Sequence, residues 1–294
     1  AFAVATVYEG HNLRRHGIDK PIYILGYTAE CTYDMLIDED MLPAIFSLEM
    51  ACRLSEHAVK SNKTAKINIA VDTGMSRIGY IPGKEAIDEI VHISKLPGIK
   101  IESIFTHFAK ADYRDKSFTQ KQFKEFSSFV SELENNGVSI PIHQCANSAA
   151  MMEMPETSLN LSRAGISMYG LYPSDEMDRG NMKLCPAMSI YSHVVHVKEI
   201  EKGRGISYGQ TFIADDTMKM ATIPVGYGDG YPRNLSNKGY VLINGERANI
   251  VGRVCMDQFM VDVTGMNVKV GDLVTLAGKD GNEEIKIDDL SVLA

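Results

Sequence analysis

Short apolar runs alternate with amphipathic stretches along the first part of the chain. The runs are FAVAT, IYILGY, PAIFS, KINIAVDT, ESIFTHFA, IPIHQCAN and LSRAGISMYG. Between them lie helix-like segments such as LEMACRLSEHAVKSN, KEAIDEIVHISKLPG and FTQKQFKEFSSFVSELENNG, and the last two end in glycine, as helices often do. Continuous apolar strands that alternate with helices are typical of a parallel sheet. The pattern therefore predicts an α/β domain with seven parallel strands.

A (β/α)8 barrel has eight parallel strands, one more than the apolar runs seen here. We therefore predict that residues 1–183 form a (β/α)8 TIM-like barrel domain whose first strand lies upstream of Ala1. The chain opens on AFAVAT without an initiator Met, and a domain rarely begins inside its own core. The barrel is accordingly expected to be incomplete at its N-terminus.

The pattern changes near Leu184 to Pro186. The segments that follow are joined by turns rich in Gly and Asn, and they include MSIYSHVVHVKEI, MKMATIPVGYG, GYVLINGERANIVGRV, QFMVDVTGM and DLVTLAG. Strand and turn signals of this kind are typical of an all-β domain. We predict a C-terminal β domain over residues 184–294.

Composition narrows the functional classes. The 294 residues carry a net charge of −8 without any basic cluster, which argues against a nucleic acid or an acidic membrane surface as partner. No apolar run is long enough to span a bilayer. The five cysteines form no CxxC pair, which favours reduced thiols in a cytoplasmic protein, and the sequence indicates no metal site.

Barrel enzymes place their chemistry at the carboxyl ends of the strands. Asn147 and Ser148 follow the IPIHQC run and could start a helix, and Gly165 and Ile166 offer backbone amides in the next loop. These two loops are a common phosphate site in barrels, although a helix cap and a tight turn explain the same residues. Arg163 lies inside an apolar run, where it needs a partner: a ligand or a structural salt bridge.

Two further side chains follow barrel runs. Arg77, in a loop flanked by glycines, could hold a carboxylate through two hydrogen bonds or be a solvated loop residue. His107 could be catalytic or a hydrogen-bonded core histidine. In the β region, three glycine-dense turns carry reactive side chains: Tyr208 in GISYGQTF, Tyr227 in IPVGYGDGYPR, and Met256 with Asp257 in GRVCMDQ.

Together these segments resemble the alanine racemases, which are pyridoxal 5'-phosphate (PLP) enzymes with a barrel and a C-terminal β domain. The motifs DTGMSRIGY, THFAKAD, ANSAA, RAGISMYGL, ISYGQTF, IPVGYGDG and GRVCMDQ stand in the family's order and at its spacing. The resemblance implies interconversion of L-alanine and D-alanine, which supplies D-alanine for peptidoglycan. It also implies PLP as cofactor and a head-to-tail homodimer with composite active sites.

The resemblance also implies roles for individual residues. On the cofactor side, His107 stacks on the PLP ring, Arg163 donates to the pyridine nitrogen, and Ser148, Gly165 and Ile166 bind the phosphate. Asn147 is also assigned to cofactor binding. Arg77 lies near the substrate carboxylate. Tyr208 is a catalytic base that reaches the partner subunit's cofactor, and Tyr227, Met256 and Asp257 lie near the substrate.

Three departures from the family pattern stand out. The cofactor lysine, which the family carries in a KADAYGHG-like segment, is expected upstream of Ala1; Lys110 in FAKADY follows the wrong strand to replace it. A family segment with another Tyr is expected beyond Ala294, so the β domain is expected to be incomplete at its C-terminus. Ala70 stands where many relatives carry a carbamylated lysine that positions the arginine.

At a fourth position, many relatives place a histidine four residues before the serine of NSA, where it contacts the catalytic Tyr. Here Gln144 stands at that position and His143 is one residue earlier, and either could take the role. Two alternative functions fit parts of the sequence: a serine/alanine racemase of the membrane-fused type, and a PLP-carrier barrel protein without turnover. The β domain favours the enzyme, because carriers consist of the barrel alone.

Overall fold

A computed structural model describes residues 1–293 of the chain. The chain divides into two compact units, Ala1–Leu184 and Cys185–Ala294. No helix in the described range is both long and apolar enough to cross a membrane.

The first unit contains a six-stranded parallel sheet in which each strand lies beside the next one along the chain. The strands are β1 (Phe2–Val4), β2 (Ile22–Ile24), β3 (Met41–Ile45), β4 (Ala65–Ala70), β5 (Ile99–Phe105) and β6 (Ile142–Gln144). The helices are α1 (Val7–Arg15), α2 (Tyr33–Asp38), α3 (Leu48–Lys60), α4 (Lys84–Ile93), α5 (Ser117–Asn135) and α6 (Ser148–Glu153). Sequential parallel order with helical crossovers is the order of a barrel wall, which confirms the predicted fold class.

The seventh predicted strand, LSRAGISMYG, does not form within the described residues. Arg163 N–H donates to the carbonyl of Ala146 at 2.9 Å, but Gly165 then turns the backbone and a 3₁₀ helix runs over Ile166–Tyr169. A single backbone hydrogen bond does not form a strand pair, so this apolar run forms a turn and not a strand. The count of seven strands is therefore wrong, and six form.

Both faces of the sheet are buried. On the helix-covered face, side chains such as Ile67, Ile69 and Ile90 are completely buried in the main core. On the other face a small cluster of Ala44, Ala70 and Phe105 packs separately. Burial of each large aliphatic side chain contributes about 1.5–3 kcal/mol, so this two-sided burial stabilises the unit and holds the strand ends in place.

Helix α5 presents a buried stripe to the sheet at helical spacing: Thr119, Gln122, Phe126, Phe129, Val130 and Leu133. A stripe at positions i, i+3, i+7 and i+10 is what a helix needs to pack on a core. One member, Gln122, is a fully buried amide among apolar neighbours. Such a group is costly unless it is hydrogen-bonded.

The second unit is antiparallel. Its strands are β7 (Ile190–His193), β8 (His196–Ile200), β9 (Gly205–Ile206), β10 (Phe212–Ile213), β11 (Met218–Ile223), β12 (Tyr240–Ile243), β13 (Glu246–Asn249), β14 (Phe259–Asp262), β15 (Leu273–Asp280) and β16 (Glu283–Ile285), and α7 (Ile287–Leu293) follows. They form a sheet in the order β14-β11-β8, a β9–β10 hairpin, and a sheet in the order β13-β12-β15-β16 with β7 also on β15. Apart from α7 and short 3₁₀ turns, the described part of this unit is all β, as predicted.

Candidate active site

A cavity of about 360 Å³ lies in the first unit at the carboxyl ends of the strands. It has a size typical of small-molecule sites. Its lining includes six residues that the sequence assigned to the cofactor: His107, Asn147, Ser148, Arg163, Gly165 and Ile166. The rest of the lining is Ala3, Leu25, Asp112, Ala149, Ala164 and Pro173. Residues from six separate segments, four of them at the ends of β1, β2, β5 and β6, converge on one cavity because parallel strands end on the same side of a sheet.

One wall of this cavity is held together by the Ser148 hydroxyl. Asn147 caps α6 by accepting from Ala150 N–H at 3.1 Å, which fixes Ser148 at the first helical position. The Ser148 Oγ atom accepts from Gly165 N–H at 2.9 Å, and the Ser167 hydroxyl donates to it at 3.1 Å. The start of α6 and the start of the 3₁₀ helix thus meet, and the N-terminus of each, which is the end of a helix dipole that favours an anion, lies at the cavity.

Arg163 is buried and held by backbone carbonyls. Its Nη2 atom donates to the Thr106 carbonyl at 2.6 Å and to the Cys145 carbonyl at 3.3 Å. Its Nη1 atom is buried and has no hydrogen-bond partner within residues 1–293. Burial lowers the pKa of Arg163 to about 10, and the nearby charge of Arg77 acts in the same direction. The side chain remains a cation at neutral pH and has a free donor for a ligand.

His107 is the neutral member of the cavity. Burial, first, and the positive charges of Arg163 and Arg77, second, lower the pKa of its imidazole to about 4. The ring therefore carries no charge at neutral pH. A flat, uncharged ring beside a cation is suited to pack against an aromatic ligand.

Arg77 lines a neighbouring cavity of about 570 Å³ that shares Ala3 and Leu25 with the first. The loop that carries it is shaped by Asp72, whose Oδ1 accepts from Gly74 N–H at 2.9 Å and from Ser76 N–H at 3.0 Å. Arg77 is exposed, and no ion pair holds its guanidinium within the described part of the chain. This leaves the guanidinium available for a carboxylate.

The structure separates the two candidates at positions 143 and 144. His143 is turned to the helix side, where its Nε2 lies 3.0 Å from the Ile140 carbonyl and 3.7 Å from the Glu134 carboxylate. Gln144 is buried, and neither atom of its amide has a partner among the described residues. Lys110 lies over the Tyr113 ring at 5.1 Å and is not part of the cavity lining.

In the second unit, Tyr208 is presented by a strained turn. Ser207 has φ +65°, a value that non-glycine residues rarely adopt, and Gly209 follows with φ +72°. The Ser207 hydroxyl donates to the Arg253 carbonyl at 2.7 Å, which holds the turn against the GRVC segment. Tyr208 itself is 67% exposed. Strain of this kind persists only where neighbouring structure enforces it, and functional sites are a common place for it.

The other two predicted motifs of this unit meet by close backbone approach. Tyr227 N–H donates to the Cys255 carbonyl at 3.0 Å, and Gly228 N–H donates to the Met256 carbonyl at 2.8 Å. A Cβ atom at Gly226 would stand 2.1 Å from the Met256 oxygen, so only glycine fits there. Tyr227 and Met256 are 43% and 54% exposed, and Asp257 is exposed beside them. All four predicted residues of this unit therefore lie on linked turns.

The sequence did not predict several residues in and near the cavity. Asp112 lines the cavity of about 360 Å³, but the sequence singles it out only as part of the THFAKAD motif, and Ala3 and Leu25 belong to strand ends that carry no polar signal. Inspection of every strand end, polar or not, would have found Leu25. Gln122, which hydrogen-bonds the His107 backbone, lies on a helix and had no local signal.

Comparison with known proteins identifies the family. The model for the alanine racemase N-terminal domain matches residues 1–173, and the model for the C-terminal domain matches residues 187–294. The alanine racemase of Clostridium tetani is 48% identical over 97% of this chain and 74% of its own length. That of Methanococcus maripaludis is 47% identical over 98% of this chain and 77% of its own length.

A solved structure agrees with these matches. The alanine racemase of Clostridium difficile 630 superposes with a TM-score of 0.94 at 39% identity, over 99% of this chain and 76% of the other. The resemblance inferred from seven motifs is thereby confirmed. Since both family models match and the relatives align over nearly all of its residues, the chain belongs to the alanine racemase family.

Proposed function

We propose that this chain interconverts L-alanine and D-alanine with PLP bound in the cavity of the first unit, and so supplies D-alanine for peptidoglycan. The observation that carries the proposal is the convergence of six predicted cofactor residues on one cavity of about 360 Å³. Membership of the alanine racemase family supports the reaction type. The match of the second unit to the family's C-terminal domain favours a racemase over a carrier barrel.

The residues present fit PLP. The unpartnered Nη1 of Arg163 is a buried donor that a ring nitrogen could accept from, and the neutral His107 could lie against the ring. Asn147, Ser148, Gly165 and Ile166 form the wall suited to a phosphate. PLP, when bound, supplies the electron sink that takes up the negative charge formed when the α-proton leaves.

Arg163 would also influence how strongly the PLP ring withdraws electrons, through the protonation state of the ring nitrogen. A cation beside a pyridine nitrogen disfavours a second positive charge there, because like charges disfavour protonation. Arg163 is held in place by the Thr106 and Cys145 carbonyls and stays charged at neutral pH. We expect this arrangement to keep the ring nitrogen unprotonated and to disfavour transamination as a side reaction.

Racemisation removes a proton from one face of Cα and returns one to the other, and one base on each face is the direct solution. Tyr208 is our candidate for one base, and Arg77 for the group that holds the substrate carboxylate. A tyrosine acts as a base near neutral pH only where cations lower its pKa from about 10. A Cβ atom at Gly209 would lie 3.5 Å from the Arg253 guanidinium, so a cation stands beside this turn.

We infer a head-to-tail homodimer in which the second unit of one protomer completes the cavity of its partner. Support comes from the exposed surface of the second unit, where Tyr208, Tyr227 and Met256 are 67%, 43% and 54% exposed. Polar catalytic groups displayed on linked turns need a second surface to form a closed site, and a two-fold arrangement satisfies two sites at once. We also propose that the protein acts in the cytoplasm, consistent with five free cysteines.

The test is a racemase assay on the protein that carries this chain. Purified protein is titrated with PLP, and the conversion of each alanine enantiomer is followed by chiral chromatography with L-serine as a competing substrate. We expect saturable PLP binding and conversion in both directions, with alanine preferred. Protein that binds PLP but converts neither amino acid is a carrier, and a preference for serine points to the serine/alanine racemase; either result overturns the proposal.

A further inference from the structure

Gln122 lies on α5, outside the cavity lining, yet its side chain contacts both the loop that carries Arg77 and the loop that carries His107. We propose that Gln122 is a positioning residue that ties the His107 loop (residues 106–109) to the Arg77 loop (residues 72–77). This inference rests on the proposed function, since it assigns Gln122 the task of holding the cofactor-side and substrate-side groups in one arrangement.

The Gln122 amide makes three hydrogen bonds. Its Oε1 accepts from Ala109 N–H at 3.0 Å, and its Nε2 donates to the His107 carbonyl at 3.1 Å and to the Thr73 hydroxyl at 3.3 Å. These partners fix the orientation of the Gln122 amide, because the Ala109 N–H must face Oε1 and the His107 carbonyl must face Nε2. One side chain thus clamps the backbone on both sides of Phe108 and reaches the other loop.

The contact with Thr73 extends to the cavity. The Thr73 and Thr106 hydroxyls are 2.8 Å apart, and both residues are buried. Because Thr73 Oγ1 accepts from Gln122, its own proton is available for Thr106. The Thr106 carbonyl in turn accepts from Arg163 at 2.6 Å. A continuous path of buried hydrogen bonds therefore links α5, the Arg77 loop, the His107 loop and the guanidinium in the cavity.

The Arg77 loop also packs directly on α5. Gly74 has φ +129°, and a Cβ atom there would stand 2.8 Å from the Phe118 ring and 3.8 Å from the Gln122 amide nitrogen. A leucine would fill the position of Gln122 on the apolar stripe without any polar group to satisfy. A fully buried amide at this position is expensive unless each polar atom is paired, which its three contacts achieve.

Two variants distinguish the contacts of Gln122 with the His107 loop from the contact between the two loops through Thr73. Gln122→Met keeps the length and helix propensity of the side chain but removes all three hydrogen bonds, leaving the His107 carbonyl and the Ala109 amide without their partner. Thr73→Val removes only the bridge between the two loops. The matched control is Thr119→Val on the same helix, where a buried hydroxyl has no partner within the described residues.

The readouts are the Kd of PLP for the cofactor-free protein, the visible circular dichroism of bound PLP, and the Ki of propionate, a carboxylate of substrate size. For Gln122→Met we expect both the Kd and the Ki to rise about tenfold, with an altered dichroic band, because the loops that carry His107 and Arg77 are then no longer preorganised and must be ordered when a ligand binds. For Thr73→Val we expect the Ki of propionate to rise while the Kd of PLP stays within about twofold of the parent value. Thr119→Val should match the parent in all three.

A parent-like Kd and Ki in folded Gln122→Met overturns the inference. So does a Thr73→Val protein whose propionate Ki is unchanged, and this variant decides the matter if Gln122→Met fails to fold. A purely structural role for Gln122 would lower the melting temperature of Gln122→Met and Thr73→Val while the Kd of PLP and the Ki of propionate stayed at their parent values. Failure of the proposed function looks different, because the parent protein itself would then neither bind PLP nor racemise alanine.

Discussion

The side chains of Arg163 and His107 meet in the cavity, with Nη2 of Arg163 3.4 Å from Nδ1 of His107. A guanidinium has no acceptor, so Nδ1 must be the unprotonated ring nitrogen and Nε2 carries the proton. Protonation of Nδ1 would place a second cation against the first inside a partly buried site. The contact therefore sets the tautomer of His107, and the charge of Arg163 adds to burial in lowering the pKa of the ring.

This pair makes stability depend on pH. Burial and the two arginines lower the pKa of His107 in the folded protein to about 4, below the ordinary value of 6.5. Between these values the unfolded chain binds more protons, so the contribution of His107 to stability is present above pH 6.5 and is lost as the pH falls towards 4. We expect the free energy of unfolding of cofactor-free protein to fall more steeply over this window in the parent than in His107→Gln, by up to about 1.4 kcal/mol per pH unit. Urea unfolding of both proteins at several pH values measures this difference, and parallel curves would contradict it.

The wall of the cavity around Ser148 leads to a prediction about the phosphate. Ser148→Ala removes the oxygen that accepts from Gly165 N–H at 2.9 Å and frees the two loop ends from each other. We expect the Kd of PLP to rise about tenfold or more, because hydrogen bonds to charged groups are worth about 1.5–3 kcal/mol. The Kd of pyridoxal, which lacks the phosphate, should change little. Fluorescence titration gives both values, and Ser162→Ala, whose hydroxyl donates to the Ser158 carbonyl, is the control. Equal weakening for both ligands would remove Ser148 from the phosphate site.

Gly226 tests the contact between the two turns of the second unit. Its φ of −151° suits any residue, so backbone strain is not the issue. A methyl group there would stand 2.1 Å from the Met256 carbonyl oxygen and 2.3 Å from that of Cys255. We expect Gly226→Ala to separate Tyr227 from Met256 and to destabilise the protein by about 3 kcal/mol, measured by urea unfolding. Gly83→Ala, which has nothing within 4 Å of the added methyl, should destabilise the protein by less than about 1 kcal/mol, because its only effect is a poorer N-cap for α4. A parent-like midpoint for Gly226→Ala would show that the turns do not depend on this close approach.

The sequence predicted the candidate site residues that stand at strand ends and missed those whose partners are distant along the chain. The residues that we propose for the cofactor line one cavity because parallel strands bring their carboxyl ends to one side, and polar residues such as Ser148 and Arg163 are conspicuous there. The run around Arg163 was predicted as a strand from its apolar residues, but pairing depends on the backbone after Gly165, which no apolar pattern reveals. Gln122 could not be predicted, since its partners are two backbone groups and one hydroxyl, all more than ten residues away. The choice between His143 and Gln144 likewise required knowing which face of β6 each side chain occupies.

Tyr208 gives a direct test of the two-base reaction. Tyr208→Phe removes the hydroxyl and keeps the ring, so cofactor binding should persist while racemisation falls by about a hundredfold or more. In deuterated water, we expect Cα exchange to continue for one alanine enantiomer and to be nearly lost for the other, because one base remains. Tyr231→Phe is the control, since the Tyr231 hydroxyl is buried without a partner among the described residues. Racemisation close to the parent rate in Tyr208→Phe would show that another group provides the base.

Complementation between two inactive variants tests the proposed head-to-tail dimer. Tyr208→Phe damages the second unit, and Arg163→Ala damages the cavity of the first. In a composite-site dimer, a mixed pair contains one undamaged site and one doubly damaged site. Half of a random equal mixture consists of mixed pairs, so up to about a quarter of the normal activity should return after subunit exchange.

The control for this experiment is a mixture of Arg163→Ala with His107→Ala. Both substitutions lie in the first unit, so every site in every dimer contains a damaged cavity and no activity should return. A monomer that uses its own Tyr208 predicts no recovery for either mixture. Native mass spectrometry establishes that mixed dimers are present, and a silent first mixture that contains them would rule out composite sites. Recovery in both mixtures would mean instead that the single variants were misfolded and rescued by refolding, which unmixed samples refolded in parallel would reveal.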